Sequence, residues 1–363
     1  MIEYCLYAST DMRAKFLYLI ACNMFLNQTT YSVGSGPVSV AVVDVNSDNK
    51  PDIVVANYNS NNVGVLLNAG SGTFNGETTY AVGSDPQGVA TVDVDSDNKP
   101  DIIVANYLSN TVGVLLNAGN GIFSAQTTYQ VGTSPLSVAV VDVNSDNKSD
   151  IIVTNQGSNT VSVLLNAGSG TFNAQTSYSV DGNPFSIAVV DVNSDNKPDI
   201  VVANEGSATV SVLLNAGSGT FGAQTTYSVG SGPWSVAVVD VNSDNKPDIV
   251  VANTASNTVG VLLNTGNGTF NAQTTYPVGG NSFSVAVADV NSDNKPDIVV
   301  ANAASNTVGV LLNTGNGTFN AQTAYPVGTL PRWVAVVDVN SDNKPDIVVT
   351  NAGSDTVGII LHC

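Results

Sequence analysis

Oxygen-bearing side chains recur at fixed spacing through the 363-residue sequence. The run Asp-Val-Asn-Ser-Asp-Asn-Lys starts at Asp44, Asp142, Asp191, Asp240, Asp289 and Asp338. A variant with Asp for the first Asn starts at Asp93, giving seven copies 49 residues apart. Each run continues to an aspartate at its ninth position. The first loop therefore offers Asp44, Asn46, Asp48 and Asp52 at positions 1, 3, 5 and 9, with Lys50 at position 7 supplying a backbone carbonyl. The same five positions are Asp93, Asp95, Asp97, Lys99 and Asp101 in the second loop, and Asp142, Asn144, Asp146, Lys148 and Asp150 in the third. They are Asp191, Asn193, Asp195, Lys197 and Asp199 in the fourth, and Asp240, Asn242, Asp244, Lys246 and Asp248 in the fifth. The last two loops carry Asp289, Asn291, Asp293, Lys295 and Asp297, and Asp338, Asn340, Asp342, Lys344 and Asp346.

Alternate oxygens at 1, 3 and 5 converge on one side of a turn, and a carboxylate at 9 binds through one or two oxygens. About six oxygens with no nitrogen or sulfur suit a hard cation, Ca²⁺ above Mg²⁺, whose tight octahedron keeps several waters. The expectation is up to seven Ca²⁺ ions. An EF-hand is excluded because position 12 of the first loop is Val55 rather than Glu and strands flank the loop where helices are required. The competing reading is a metal-free Asx-turn. Asn49, at position 6, sits where a left-handed residue is expected, which Asn tolerates well; the Lys50 side chain is expected to point to solvent.

Charge supports the metal reading. The loops hold 22 of the 29 acidic residues and seven of the ten cations, a net −15 within a chain of −19. Clustered carboxylates repel unless a cation sits among them. Ten cations argue against a nucleic-acid partner, and no apolar run is long enough to span a membrane as a helix.

The elements that must position these loops follow from the apolar pattern. In one unit, Val40 to Val43, Ile53 to Ala56 and Val63 to Leu67 are runs of β-formers, followed by a more polar stretch from Phe74 to Val82. Turn chemistry separates them, including Asn68-Ala69-Gly70-Ser71-Gly72. Four strands per unit of this length predict an all-β chain built as a seven-bladed β-propeller of antiparallel blades. The chain ends favour a ring over a stacked solenoid. The last unit stops at Cys363 without a fourth strand, while Phe25 to Tyr31 matches Phe221 to Tyr227. The N-terminal strand should complete blade seven. This divides the chain into an N-terminal extension, 1–24, and a propeller, 25–363. The same register brings Cys22 and Cys363 into one turn, which predicts a disulfide at the seam.

The Asp-x-Asn-x-Asp-Asn-x-x-Asp loop between the first two strands, with Gly-Thr-Phe opening the fourth, resembles the FG-GAP/VCBS repeat of the integrin α-subunit propeller and of many secreted adhesion proteins and lectins. The resemblance covers residues 25 to 363. The family's loop usually has Asp at position 3 and Gly at position 6, so Asn at position 3 in six blades and Asn at position 6 depart from it. The resemblance implies an extracellular, Ca²⁺-stabilised propeller acting as an adhesion or ligand-binding module. It does not supply the ligand.

One face of the ring varies. The residue aligned with Val38 becomes Gln87, Leu136, Phe185, Trp234, Phe283 and Arg332, with Trp333 following the last; the position after the Asn of the loop between the second and third strands is Tyr58, Tyr107, Gln156, Glu205, Thr254, Ala303 and Ala352. Aromatic and Arg residues are typical binding anchors. Tyr58, Tyr107, Phe185, Glu205, Trp234, Phe283, Arg332 and Trp333 are therefore candidate contacts for an extracellular protein or a glycan, with a lectin as the alternative function; the competing reading is that such residues plug the central channel. Catalysis is not expected. The single His, His362, falls at an Asn position of the repeat, and Glu205, Asp181 and Asp85 are the only carboxylates on the variable face that could act as acid and base. Met12 to Ala21 resembles a short signal sequence if Met12 starts the chain, and Leu19-Ile20-Ala21-Cys22 resembles a lipoprotein cleavage box, which a Cys22 disulfide excludes. A secreted or surface-exposed monomeric propeller is the expectation.

Overall fold

The computed structural model describes residues 24–363 in full and, before them, only the backbone of Tyr4–Leu6 and Leu19–Ala21, which pair antiparallel. The proposed signal segment and Cys22 otherwise lie outside the described residues. No helix occurs among the described residues, and none is long and apolar enough to cross a membrane.

Seven four-stranded antiparallel sheets follow one another along the chain. In blade one the strands run Pro37–Val43, Asp52–Asn57, Asn62–Leu66 and Thr78–Ala81, from the axis outward. The second strand is buried along its whole length, which explains its continuously apolar sequence: both faces lie against neighbouring sheets. The outer strand, rich in Thr, is mostly exposed. Between the third and fourth strands a short ribbon, Asn68–Gly70 with Thr73–Phe74, folds back on itself; Gly70 at φ 102 makes the turn that a side chain would strain.

There is no single core. Apolar clusters lie between consecutive blades, as where Val54, Ala56, Val63 and Val65 of blade one pack against Ile102, Val104, Leu115 and Phe123 of blade two. The ring is closed: Val40, Ile53, Val55 and Leu66 of blade one cluster with Val348, Val357 and Ile359 of blade seven. Thr29–Ser32 forms the outer strand of blade seven, with Thr29 opposite Ile359 and Ser32 opposite Thr356. At the seam the ribbon is made from both ends of the chain, by a bridge between Phe25 and His362.

Two interblade contacts repeat around the ring. A tyrosine on each outer strand meets the ribbon phenylalanine of the next blade edge-on, from Tyr31 with Phe74 at 5.5 Å to Tyr325 with Phe25 at 5.3 Å. Each ribbon asparagine also donates through Nδ2 to a carbonyl in the preceding blade's acidic loop, as Asn117 does to Val45 at 2.9 Å and Asn68 to Val339 at 2.8 Å.

Candidate functional site

The acidic loops join the first and second strands of each blade, and the sheet register holds their ends together, with Val43 opposite Asp52. Within the first loop, Asp44 Oδ1 accepts the backbone N–H groups of Asn46, Ser47 and Asp48, and its Oδ2 accepts that of Asn49 at 2.7 Å. Two residues take left-handed backbone to bring those amides inward, Ser47 at φ 64 and Asn49 at φ 63, and the same two positions do so in all seven loops. The sequence marked the asparagine; the serine gave no signal.

Position 9 has a second role that spacing alone did not disclose. Asp52 is fully buried, and its Oδ2 and Oδ1 accept the N–H groups of Val45 and Asn68 at 3.0 and 2.7 Å. It ties its loop to the ribbon of its own blade. Burial raises the Asp52 carboxyl, with those two hydrogen bonds opposing, and pushes Asp101, Asp248, Asp297 and Asp346 up to about 6.

Position 5 behaves differently. The lysine at position 7, expected to point to solvent, folds back in six loops to pair with the position-5 carboxylate, as Lys50 Nζ does with Asp48 Oδ2 at 3.1 Å. In the seventh, Lys344 Nζ instead donates to the Cys363 carbonyl at 2.6 Å. The carboxylate is the nearest charge of opposite sign, and an exposed pair of this kind is worth only about 0–1 kcal/mol. Desolvation raises the Asp48 pKa, but the hydrogen bonds and charge of Lys50 outweigh it and leave the carboxyl below its usual value.

In the second loop the residues fit a hard cation at positions 1, 3 and 9. There all three are carboxylates, and the ligand atoms of Asp93, Asp95 and Asp101 lie within 4.8 Å of one another. Asp97 is not in that group and is paired with Lys99. Asp93, Asp95 and Asp101 would hold the ion, which would neutralise the repulsion that helps to raise the Asp95 and Asp101 pKa values.

The variable positions are placed at the channel. Phe185, Trp234, Phe283 and Arg332 were expected at loop tips; each is the second residue of an inner strand and lines a cavity of 170 Å³ on the ring axis. The physical reason is a bulge. The inner strand slips by one residue after its first, between Pro184 and Ser186 in blade four and between Pro331 and Trp333 in blade seven, so the residue between is unpaired and turned inward. Trp333 lines the same cavity. Phe185 stacks on Trp234 with ring centres 4.4 Å apart, the Trp234 and Phe283 rings lie 4.2 Å apart at a tilt of 32°, and the Arg332 guanidinium carbon lies 4.4 Å from the Phe283 ring centre. Tyr58, Tyr107 and Glu205 do lie in turns between the second and third strands; the Tyr107 hydroxyl donates to Gln156 of the next blade at 2.9 Å.

A family profile described as an FG-GAP-like repeat matches six overlapping segments, residues 44–104, 93–153, 142–202, 191–251, 240–300 and 289–349, each beginning on the first aspartate of a loop. The chain belongs to the FG-GAP-like repeat family. A search of curated protein sequences finds no match. Among solved structures, this FG-GAP-like propeller is similar to virginiamycin B lyase from Staphylococcus aureus, with TM-score 0.66 and 14% identity over 93% of this chain and 99% of that one. It is also similar to BBS1N, solved in complex with ARL6DN, with TM-score 0.66 and 14% identity over 94% and 97% of the two chains. A third neighbour is an Agrocybe aegerita lectin that recognises non-reducing terminal N-acetylglucosamine, with TM-score 0.56 and 22% identity over 80% of each chain. These likenesses are of fold.

The carboxylates considered for catalysis are each held by a local partner in the FG-GAP-like ring. Thr209 donates to Asp181 at 2.8 Å, Asn183 to Glu205 at 3.3 Å, and Gln87 to Asp85. His362 packs edge-on against Phe25 at 5.2 Å, and burial holds its imidazole below the ordinary value. Cys363 is disulfide-bonded, and its expected partner Cys22 lies outside the described residues.

Proposed function

We propose that the chain is a non-catalytic, calcium-stabilised binding module that works outside the cell. The observation that carries the reading is the convergence of the Asp93, Asp95 and Asp101 oxygens within 4.8 Å, in a loop whose sequence pattern recurs seven times. A bound Ca²⁺ would supply charge neutralisation there, not chemistry. The chain's own contribution is to hold the ligand oxygens: four amides orient Asp44, and two anchor Asp52. An Asn in the third position of six loops points to modest affinity, suited to the 10⁻⁴–10⁻³ M range about which extracellular modules are tuned. Hence the proposed location, secreted or at the cell surface.

The test is thermal unfolding of the full chain in chelator and in millimolar Ca²⁺, with the bound ion counted by equilibrium dialysis. A large upward shift with several ions per chain is expected, because a ligand that binds only the native state stabilises it by mass action. No shift and no bound calcium would refute it. A glycan-binding role is a narrower reading favoured by the aromatic stack of Phe185, Trp234 and Phe283, since flat rings can stack on sugars. A glycan screen of the parent against Trp234→Ala separates it from a protein-binding role.

A further inference from the structure

Among the described residues, Arg332 makes no ion pair. Of the chain's ten cations, seven are loop lysines and Arg13 and Lys15 lie outside the described residues, so Arg332 is the one left for the body of the ring. The six ion pairs among the described residues are all made by loop lysines. The Arg332 Nε is buried with no hydrogen-bond partner. Its guanidinium carbon lies 4.4 Å from the Phe283 ring centre and 5.5 Å from that of Trp234, with the Tyr58 side chain as a further neighbour.

Guanidinium carries five N–H donors and does not shed its proton in proteins. Arg332 is half-buried, and cation–π contact with the two rings leaves its Nε–H without an acceptor. An anion would supply the missing partner. Planar guanidinium favours the bidentate geometry of a carboxylate. The rest of the lining sets the body of that anion. On one side Phe185, Trp234 and Phe283 form a continuous aromatic wall across blades four to six; Val38, Gln87 and Leu136 of blades one to three complete the ring. The cavity volume of 170 Å³ exceeds by about tenfold the roughly 10–15 Å³ that a single water needs, enough for one small ring. The aromatic residues are half-buried rather than sealed, so the wall is reachable from solvent.

We propose that the central channel is a binding site for a small ring-bearing carboxylate, the carboxylate held by Arg332 and the flat face of the ring laid against the Phe185–Trp234–Phe283 wall. It rests on the reading of the chain as a binding module, and not on calcium. An acidic sugar and an aromatic acid share this chemistry.

The chain's two tryptophans, Trp234 and Trp333, both line the cavity, so tryptophan emission, excited selectively over that of the tyrosines, reports on it in the unmodified protein. Full-length protein is titrated with glucuronate and with benzoate, each against its neutral counterpart, glucose and benzamide. The expected result is a saturable change with at least one of the acids, at least tenfold weaker or absent with its neutral partner. A response to glucuronate identifies an acidic sugar, and one to benzoate alone an aromatic acid. Arg332→Met is expected to abolish the response, and Arg332→Lys, which keeps the charge but loses the fork, to weaken it. Absence of a saturable change with both acids, or equal responses to acid and neutral partner, overturns the proposal. So does an unaltered response in Arg332→Met. Should both variants unfold, the acid-against-neutral comparison on the parent decides alone. The titrations are run with Ca²⁺ and after chelation. A retained fluorescence response without calcium dependence of melting sinks only the metal reading, and the converse sinks only this one.

Discussion

Replacing Asp248 with Asn separates the two roles of the ninth loop position. Asp248 is fully buried; its Oδ2 accepts the Val241 N–H at 3.0 Å and its Oδ1 the Asn264 N–H at 2.7 Å. An amide of the same shape keeps one acceptor and turns its NH₂ toward the other donor, and the stranded N–H costs about 1–3 kcal/mol. Acting the other way, burial pushes the Asp248 carboxyl from 3.8 up to about 6. At pH 7 the native state therefore holds a charge at a cost of about 3 kcal/mol, taking 1.36 kcal/mol per pH unit, and the neutral amide escapes it. The two contributions nearly cancel. Without Ca²⁺, Asp248→Asn is expected to melt within a few degrees of the parent. With Ca²⁺ at one hundred times the dissociation constant, loss of the site removes about 2.7 kcal/mol of stabilisation. Differential scanning calorimetry in chelator and in Ca²⁺, with ion counting, measures both. The bound count should fall by one. An equal loss of melting temperature in the two conditions, with an unchanged ion count, would show that position 9 is a hydrogen-bond anchor and nothing more.

Other expectations concern the ring and its pH response. Phe25→Ala empties a buried site at the seam, where Phe25 is 5% exposed and packs on Tyr325, and should cost about 3–5 kcal/mol in denaturant unfolding; a cost below 1 would mean the seam is not structurally coupled. Asn215→Ala strands the Val143 and Pro198 carbonyls and the Gly217 amide; a loss of about 2–3 kcal/mol is expected, against less than half of one if the interblade clamp is ornamental. For pH, Asp101, Asp248, Asp297 and Asp346 are raised from 3.8 to about 6. A raised carboxyl favours the native state below its unfolded pKa, and that advantage is lost as pH rises through the folded value. Chelator-stripped protein should therefore melt higher at pH 5 than at pH 7. Calcium-loaded protein should do the reverse, because protons compete for the same oxygens. A stripped protein whose melting rises from pH 5 to 7 would contradict the burial argument.

Much of this was legible in the sequence because repetition converts one observation into seven. The 49-residue period fixed the blade, and the offset between the missing last strand and Phe25 to Tyr31 disclosed the ring. What spacing could not give was direction. Val38, Phe185, Trp234 and Arg332 follow the turn chemistry so closely that they read as loop residues, whereas a one-residue bulge places them inside the inner strand and aims them at the axis. The double role of Asp52 was hidden because its partners, Val45 and Asn68, donate backbone groups that carry no sequence mark. The clamp from Asn117 to Val45 spans 72 residues. Its only trace is an Asn recurring in every ribbon but the last, where His362 takes its place. The fold-back of the loop lysines was missed for a simpler reason: position 7 was counted for its carbonyl, and its side chain left without a task.

The seam falls inside a blade rather than between two, and this affects how such a gene can change. Loss or gain of one whole 49-residue unit leaves the first strand and the last three untouched, so Thr29–Ser32 still finds its place beside Thr356–Ile360, and the number of blades can drift without creating an unmatched edge. Each unit also carries a variable residue at the axis, so reshuffling units recomposes the channel lining while each unit keeps its own acidic loop. The arrangement lets heredity vary the contents of the ring separately from what holds it shut.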